Sequence, residues 1–111
     1  MAMQLRFLET SEHGLRWMRR YYRLKFPEGQ ENAQTHFLTA KSQLLDQPYS
    51  GHLFDDFENV REMNITNTPF SILYTIRDET IYVIDIRGQR GMRSHEALAA
   101  FVDQIRKRHG L

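Results

Sequence analysis

The chain contains no cysteine, which excludes disulfide scaffolds, thiolate metal sites and cysteine nucleophiles together. A thiol-free domain of this kind suits a reducing compartment, and the cytoplasm is the expected location. Proline is scarce, and its 3 residues fall between periodic segments rather than inside them. No apolar run approaches the ~18 residues of a membrane helix, and the opening MAMQLRFLET lacks a secretory apolar stretch, so no membrane partner is expected. An excess of one charge is missing too. The 15 Lys and Arg face 14 Asp and Glu, a net charge of +1, which gives no global field to gather nucleic acid.

What remains is ordinary for a folded protein. The 111 residues, 41% hydrophobic and 26% charged, fit one domain over residues 1–111, without repeats, low-complexity tracts or Ser/Gly linkers. A chain of this length buries roughly two-thirds of its unfolded surface, enough for a core without covalent staples.

Residues 3–8 alternate in part, with Leu5, Phe7 and Leu8 apolar, and read as an opening strand. Thr10 or Ser11 is expected to cap a helix carrying Leu15, Met18 and Tyr22, broadened by Trp17, Tyr21 and Leu24, that stops before Phe26-Pro27-Glu28-Gly29. Ala33, Phe37, Ala40 and Leu44 recur at i, i+4, i+7 and i+11, a second helix that ends at Gln47-Pro48 and makes a helical hairpin with the first. Residues 49–59 fit no period and read as a loop. Residues 60–65, 70–76 and 80–86 are rich in β-branched and aromatic side chains, and the short links between them predict antiparallel neighbours. In the middle strand Phe70, Ile72, Tyr74 and Ile76 share a core face, leaving Ser71, Leu73 and Thr75 on a mixed outer face. Ser94 is expected to cap a last helix whose Leu98, Phe101, Val102 and Ile105 dock on the sheet.

Little catalytic chemistry is written in this pattern. The 5 His at positions 13, 36, 52, 95 and 109 lack the spacing that puts two ligands on one helix face, so no metal is expected. Nucleotide loops and serine elbows are missing, and Gly88-Gln89-Arg90-Gly91 reads as a turn. Trp17, Tyr21, Tyr22 and Phe26, at helical spacing, read as core. One constellation stands out: Arg61, Arg87, Arg90 and Arg93 fall at or beside strand ends and are expected on one side of the sheet. Arginine forks there suit phosphates or carboxylates, while the plainer reading pairs Arg87 with Glu62 or Asp85 across the strands.

The stretches Val60-Arg61-Glu62-Met63-Asn64-Ile65, Thr68-Pro69-Phe70-Ser71-Ile72-Leu73-Tyr74 and Ile81 to Arg90 resemble the RelE/ParE superfamily of type II toxin-antitoxin systems, the ParE branch most. The resemblance implies an α+β fold, with an N-terminal strand and α-helical hairpin packed on an antiparallel sheet, and a C-terminal helix. It also implies a small toxin without cofactors, held as a hetero-oligomer by a cognate antitoxin. ParE-like members inhibit DNA gyrase, for which Arg61, Arg87, Arg90 and Arg93 are the candidate contacts. RelE-like members are ribosome-dependent mRNA endoribonucleases. On that alternative the partners are the ribosome and mRNA, Arg61, Arg87 and Arg90 hold the scissile phosphate, and His95 or a tyrosine moves a proton. The nuclease pattern places a basic residue after the aromatic at the start of the middle strand, where this chain has Ser71. A third reading is a non-toxic binding module of the same fold.

The antitoxin surface is expected where apolar residues exceed what the hairpin seam needs, at Trp17, Tyr21, Leu38 and Leu45. The adjoining Arg16, Arg19, Arg20 and Arg23 would attract an acidic segment. Trp17→Ala or charge reversal at Arg20 is therefore expected to weaken antitoxin binding and spare toxicity, and Arg90→Ala to do the reverse.

Overall fold

The computed structural model describes residues 3–54, 59–88 and Lys107. Strand β1 (Gln4–Phe7) leads through a 3-10 turn (Glu9–Ser11) into helix α1 (Glu12–Leu24). A second 3-10 turn (Pro27–Gly29) precedes helix α2 (Gln30–Asp46), and strands β2 (His52–Leu53), β3 (Val60–Asn64), β4 (Phe70–Arg77) and β5 (Thr80–Gly88) follow. The five strands form one sheet in the order β1-β5-β4-β3-β2. Strands β2 to β5 are antiparallel neighbours, whereas β1 joins β5 in parallel, so the sheet is mixed. The expected Ser94 helix, and with it Arg90, Arg93 and His95, lies outside the described residues.

The expected cap at Thr10 or Ser11 is not made. Neither hydroxyl serves the helix: Thr10 donates to the carbonyl of Ile84 at 2.9 Å and Ser11 to that of Leu8 at 2.7 Å. Ser11 itself has helical backbone angles, because the 3-10 turn already supplies the geometry from which α1 grows. Gly14 lets α1 approach the sheet closely, since a Cβ there would stand 2.3 Å from the carbonyl oxygen of Ile86.

The stripes on the two helices are those the spacing predicts. Met18 and Tyr22 of α1, with Ala33, Ala40 and Leu44 of α2, are buried against Met63, Ile65, Phe70, Ile72, Tyr74, Ile81, Val83 and Ile86 of the sheet. A second cluster, Leu8, Phe54, Val60, Leu73 and Ile84, occupies the opposite face. The middle strand is therefore buried on both faces, and Ser71, Leu73 and Thr75 are covered rather than exposed as its alternation suggests. Pairing of β4 with β5 shifts between Leu73 and Tyr74, leaving Ile84 as an extra residue in a β-bulge. The segment read as a loop over 49–59 contains β2, which pairs His52 with Glu62 and Leu53 with Arg61.

Candidate functional site: the outer sheet face and the helical groove

The register of β3 separates two arginines that the sequence placed together. Arg61 lies opposite Tyr74 and so on the helix-covered side, whereas Arg87 lies opposite Ser71 on the other side. The expected single constellation is thus divided, because adjacent strand positions alternate faces and Arg61 falls on the wrong parity. Arg61 works on the loop before β2: its guanidinium donates to the carbonyls of Gly51 at 2.7 Å and Tyr49 at 3.2 Å and lies 5.2 Å from the Tyr49 ring.

Tyr74 completes that clasp. Its buried hydroxyl donates to the Pro48 carbonyl at 2.8 Å and accepts the Gly51 N–H at 3.0 Å. Burial pushes the phenol above its ordinary pKa, against smaller lowering effects of the Gly51 bond and the Arg61 charge. Tyr22 is shifted the same way, first by burial and then by Tyr21. A raised phenol pKa favours the neutral folded form. Its stabilising contribution is whole below the ordinary value near 10 and is lost as pH rises through the raised folded value. Tyr74→Phe leaves the Pro48 carbonyl and Gly51 amide unpaired and is expected to cost about 2 kcal/mol at neutral pH. It is also expected to flatten part of the alkaline decline, which urea unfolding at several pH values measures.

On the outer face a polar row crosses four strands. Glu62 is its centre: Oε1 is 3.2 Å from His52 Nε2, and Oε2 accepts the Ser71 hydroxyl at 2.7 Å. An Arg87 nitrogen stands farther off, 3.9 Å from Oε2, and the guanidinium lies over the Phe54 ring at 5.0 Å. The cross-strand pairing of Arg87 with Glu62 is therefore present, but at this length it contributes at most about 1 kcal/mol. The charge-assisted bond from Ser71, worth roughly 1.5–3 kcal/mol, holds Glu62 more firmly. Arg87 keeps a partly exposed guanidinium braced on an aromatic ring, a form suited to a carboxylate or phosphate. Sequence reasoning offered Glu62 only as a partner for Arg87; its bonds to Ser71 and His52, and the Phe54 ring beneath Arg87, went unforeseen. Only the alternation of Arg61 and Glu62 along β3 could have signalled which of the two faces Arg87.

The residues expected to bind an antitoxin also divide. Trp17 packs edge-on to Phe70 with ring centroids 5.2 Å apart and covers Gly88, where a Cβ would lie 2.2 Å from the indole. Tyr21 packs on Phe70 at 5.4 Å and on Tyr22 at 5.0 Å. Both are partly buried against the core rather than surplus apolar surface, because the broad stripe of α1 is needed to cover the start of β4 and the end of β5. Leu38 and Leu45 are exposed on α2, and Arg20 is exposed on α1. Between the helices runs a recess of about 280 Å³ floored by Leu15, Met18, Tyr22, Ala33 and Phe37, with Leu38 and Arg19 on its rim. A second recess, of about 380 Å³, shares Leu15 and Arg19 and reaches Arg16 and Phe7. The first is a mainly apolar trough between the helices, lined also by Gln30 and Gln34; it adjoins the second, where Glu12 stands with Arg16 and Arg19, at Leu15 and Arg19. Among the described residues no group of three or more His, Asp or Glu could hold a metal, and no helix is long and apolar enough to cross a membrane.

A family profile described as the ParE toxin of the type II toxin-antitoxin system parDE matches residues 5–92. Among solved structures, the chromosomal ParDE toxin-antitoxin system from P. aeruginosa aligns with a TM-score of 0.62 at 19% identity, over 78% of this chain and 95% of that one. A free-state mutant of the E. coli toxin RelE aligns at 0.58 and 16% identity, over 95% and 99%. The isolated E. coli RelE toxin aligns at 0.51 and 18% identity, over 94% and 99%. These likenesses are of fold. No curated protein matches the chain in sequence.

Proposed function

Because the chain belongs to the family of ParE toxins of type II toxin-antitoxin systems, we propose that it arrests growth by inhibiting DNA gyrase and is neutralised by a cognate antitoxin. The observation that favours gyrase over messenger RNA as target is Ser71. A ribonuclease needs fixed positive charge where the pentacovalent phosphate forms. At that point of β4 the chain carries a buried hydroxyl bonded to a carboxylate, and Arg87 leans toward the same carboxylate. Such a face binds better than it cleaves. Arg87 would meet the target, with Arg90 and Arg93 following it in sequence, whereas Arg61 serves the clasp.

The trough between α1 and α2 suits the antitoxin. An amphipathic segment laid there meets an apolar floor and the exposed Arg16 and Arg19, with Arg20 and Arg23 beyond, so carboxylates along it would speed encounter and fix register. Growth assays test the pairing. Induced alone, the chain stops growth; with its antitoxin, growth resumes; Leu38→Glu, a charge set on the rim of the trough, restores arrest despite the antitoxin. Normal growth on induction of the chain alone would instead support the non-toxic binding module.

A further inference from the structure

The charges of the chain nearly cancel in sum but not in place. Of the 15 Lys and Arg, Arg16, Arg19, Arg20, Arg23 and Lys25 fall in residues 13–27, and none of the 14 Asp and Glu does. The remainder of the chain is therefore net acidic.

Helical spacing sorts these cations. Arg16, Arg20 and Arg23 recur at i, i+4 and i+7, with His13 one turn earlier, and all four are exposed. Gly14, Met18 and Tyr22, at i, i+4 and i+8, are the buried residues of α1. At 3.6 residues per turn the two rows lie on opposite sides of the helix, so the arginine row faces away from the sheet. Arg19 stands to one side, on the rim of the trough. Glu12, one turn before Arg16, is the acid of α1. Among the described residues no carboxylate pairs with Arg16, Arg20 or Arg23.

Such a row suits one kind of anion. A helix that lies on a membrane buries an apolar face in lipid, and the apolar face of α1 already covers the sheet. A protein interface is apolar at its core, whereas this row holds no apolar residue and the exposed Leu24 lies beside it. Single-stranded nucleic acid is held by stacking on aromatic rings. None lies in the row, and Trp17 and Tyr21 pack on Phe70. The backbone of a duplex needs only forked cations at helical intervals. From Arg16 to Arg23 the helix rises roughly 10 Å, a length over which duplex DNA presents about six phosphates.

We propose that the outward face of α1 is a DNA-backbone contact, on which Arg16, Arg20 and Arg23 neutralise phosphates of a duplex without reading its sequence. The choice of DNA rests on the gyrase reading, because gyrase acts on duplex DNA. Arg87 lies on the opposite face of the sheet, so the target contact and the DNA contact can be made together.

Fluorescence anisotropy of a labelled DNA duplex, titrated with the purified chain at several salt concentrations and without gyrase, tests the proposal. Three phosphate contacts predict a slope of about −3 for log K against log salt, the same for unrelated base sequences. Arg20→Ala combined with Arg23→Ala should flatten that slope by about 2, and Lys at both positions should keep it. Arg77→Ala, exposed at the end of β4, should leave it unchanged. Absence of DNA binding at low salt, tighter binding to an RNA duplex or a single strand, or a slope that the two alanines do not alter would overturn the proposal. If the duplex binds as expected while gyrase supercoiling is unaffected, the gyrase reading fails and the DNA contact stands.

Discussion

Trp17→Ala is expected to lower the stability of the fold by about 3 kcal/mol, the lower end of the range for removing a large aromatic side chain from a packed site. The indole is only partly buried, yet it touches two strands of the sheet at once. It stands edge-on to Phe70, the first residue of β4, and lies against Gly88, the last residue of β5. The edge-to-face contact adds roughly 0.5–1.5 kcal/mol to the area it covers. For a domain whose whole stability is about 5–15 kcal/mol, this is a large fraction. Gly88→Ala approaches the same contact from the other side, because its new methyl must displace the indole, and it should cost about 1–3 kcal/mol. Urea unfolding measures both. The effect on antitoxin affinity follows from the fold, so refolded Trp17→Ala at low temperature should bind the antitoxin nearly as well as the unaltered chain. An unchanged unfolding midpoint in both variants would mean that Trp17 is the free surface anchor its sequence position suggests.

Arg87→Ala is expected to relieve growth arrest while leaving the fold and antitoxin binding almost intact. Arginine anchors at the centre of a protein interface cost about 2 kcal/mol or more when truncated, near 30-fold in target affinity. The fold loses far less, since the contact of Arg87 with Glu62 at 3.9 Å is long and partly exposed. Arg87→Lys should recover only part of the activity: a lysine keeps the charge but neither the planar fork nor its stacking on Phe54. Arg61→Ala gives the contrasting result. It frees the carbonyls of Tyr49 and Gly51 on the other face, so stability falls with little direct effect on the target contact. Toxin titration in a gyrase assay beside thermal unfolding separates the two arginines.

Much of this architecture was legible in the chain because its elements are strongly periodic. Leu15, Met18 and Tyr22 on α1, Ala33, Ala40 and Leu44 on α2, and the three β-branched runs of β3 to β5 each state their own buried face. The features that escaped are those that no single element carries. Two residues, His52 and Leu53, are too few to show a period, so β2 was hidden inside a loop that the Tyr74 hydroxyl and Arg61 hold in place. The bulge at Ile84 depends on pairing with β4. Burial of Ser71 and Thr75 on the second face depends on what packs there, not on alternation within β4. The site suffered from the same limit. Arginines near strand ends look alike in a sequence, and only the register of β3 against β4 sends Arg61 and Arg87 to opposite faces. Aromatic excess on α1 was ambiguous between core and partner surface until Phe70 and Gly88 were seen beneath Trp17.

Supercoiling of relaxed plasmid by purified DNA gyrase, with the purified chain added at increasing concentration, tests the central claim most directly. Loss of supercoiling at micromolar toxin or below, trapped cleavage complexes, and reversal of both by the antitoxin are the predicted results. Full supercoiling with no trapped complexes, alongside discrete cuts in translated messenger RNA when the chain is induced, would contradict it.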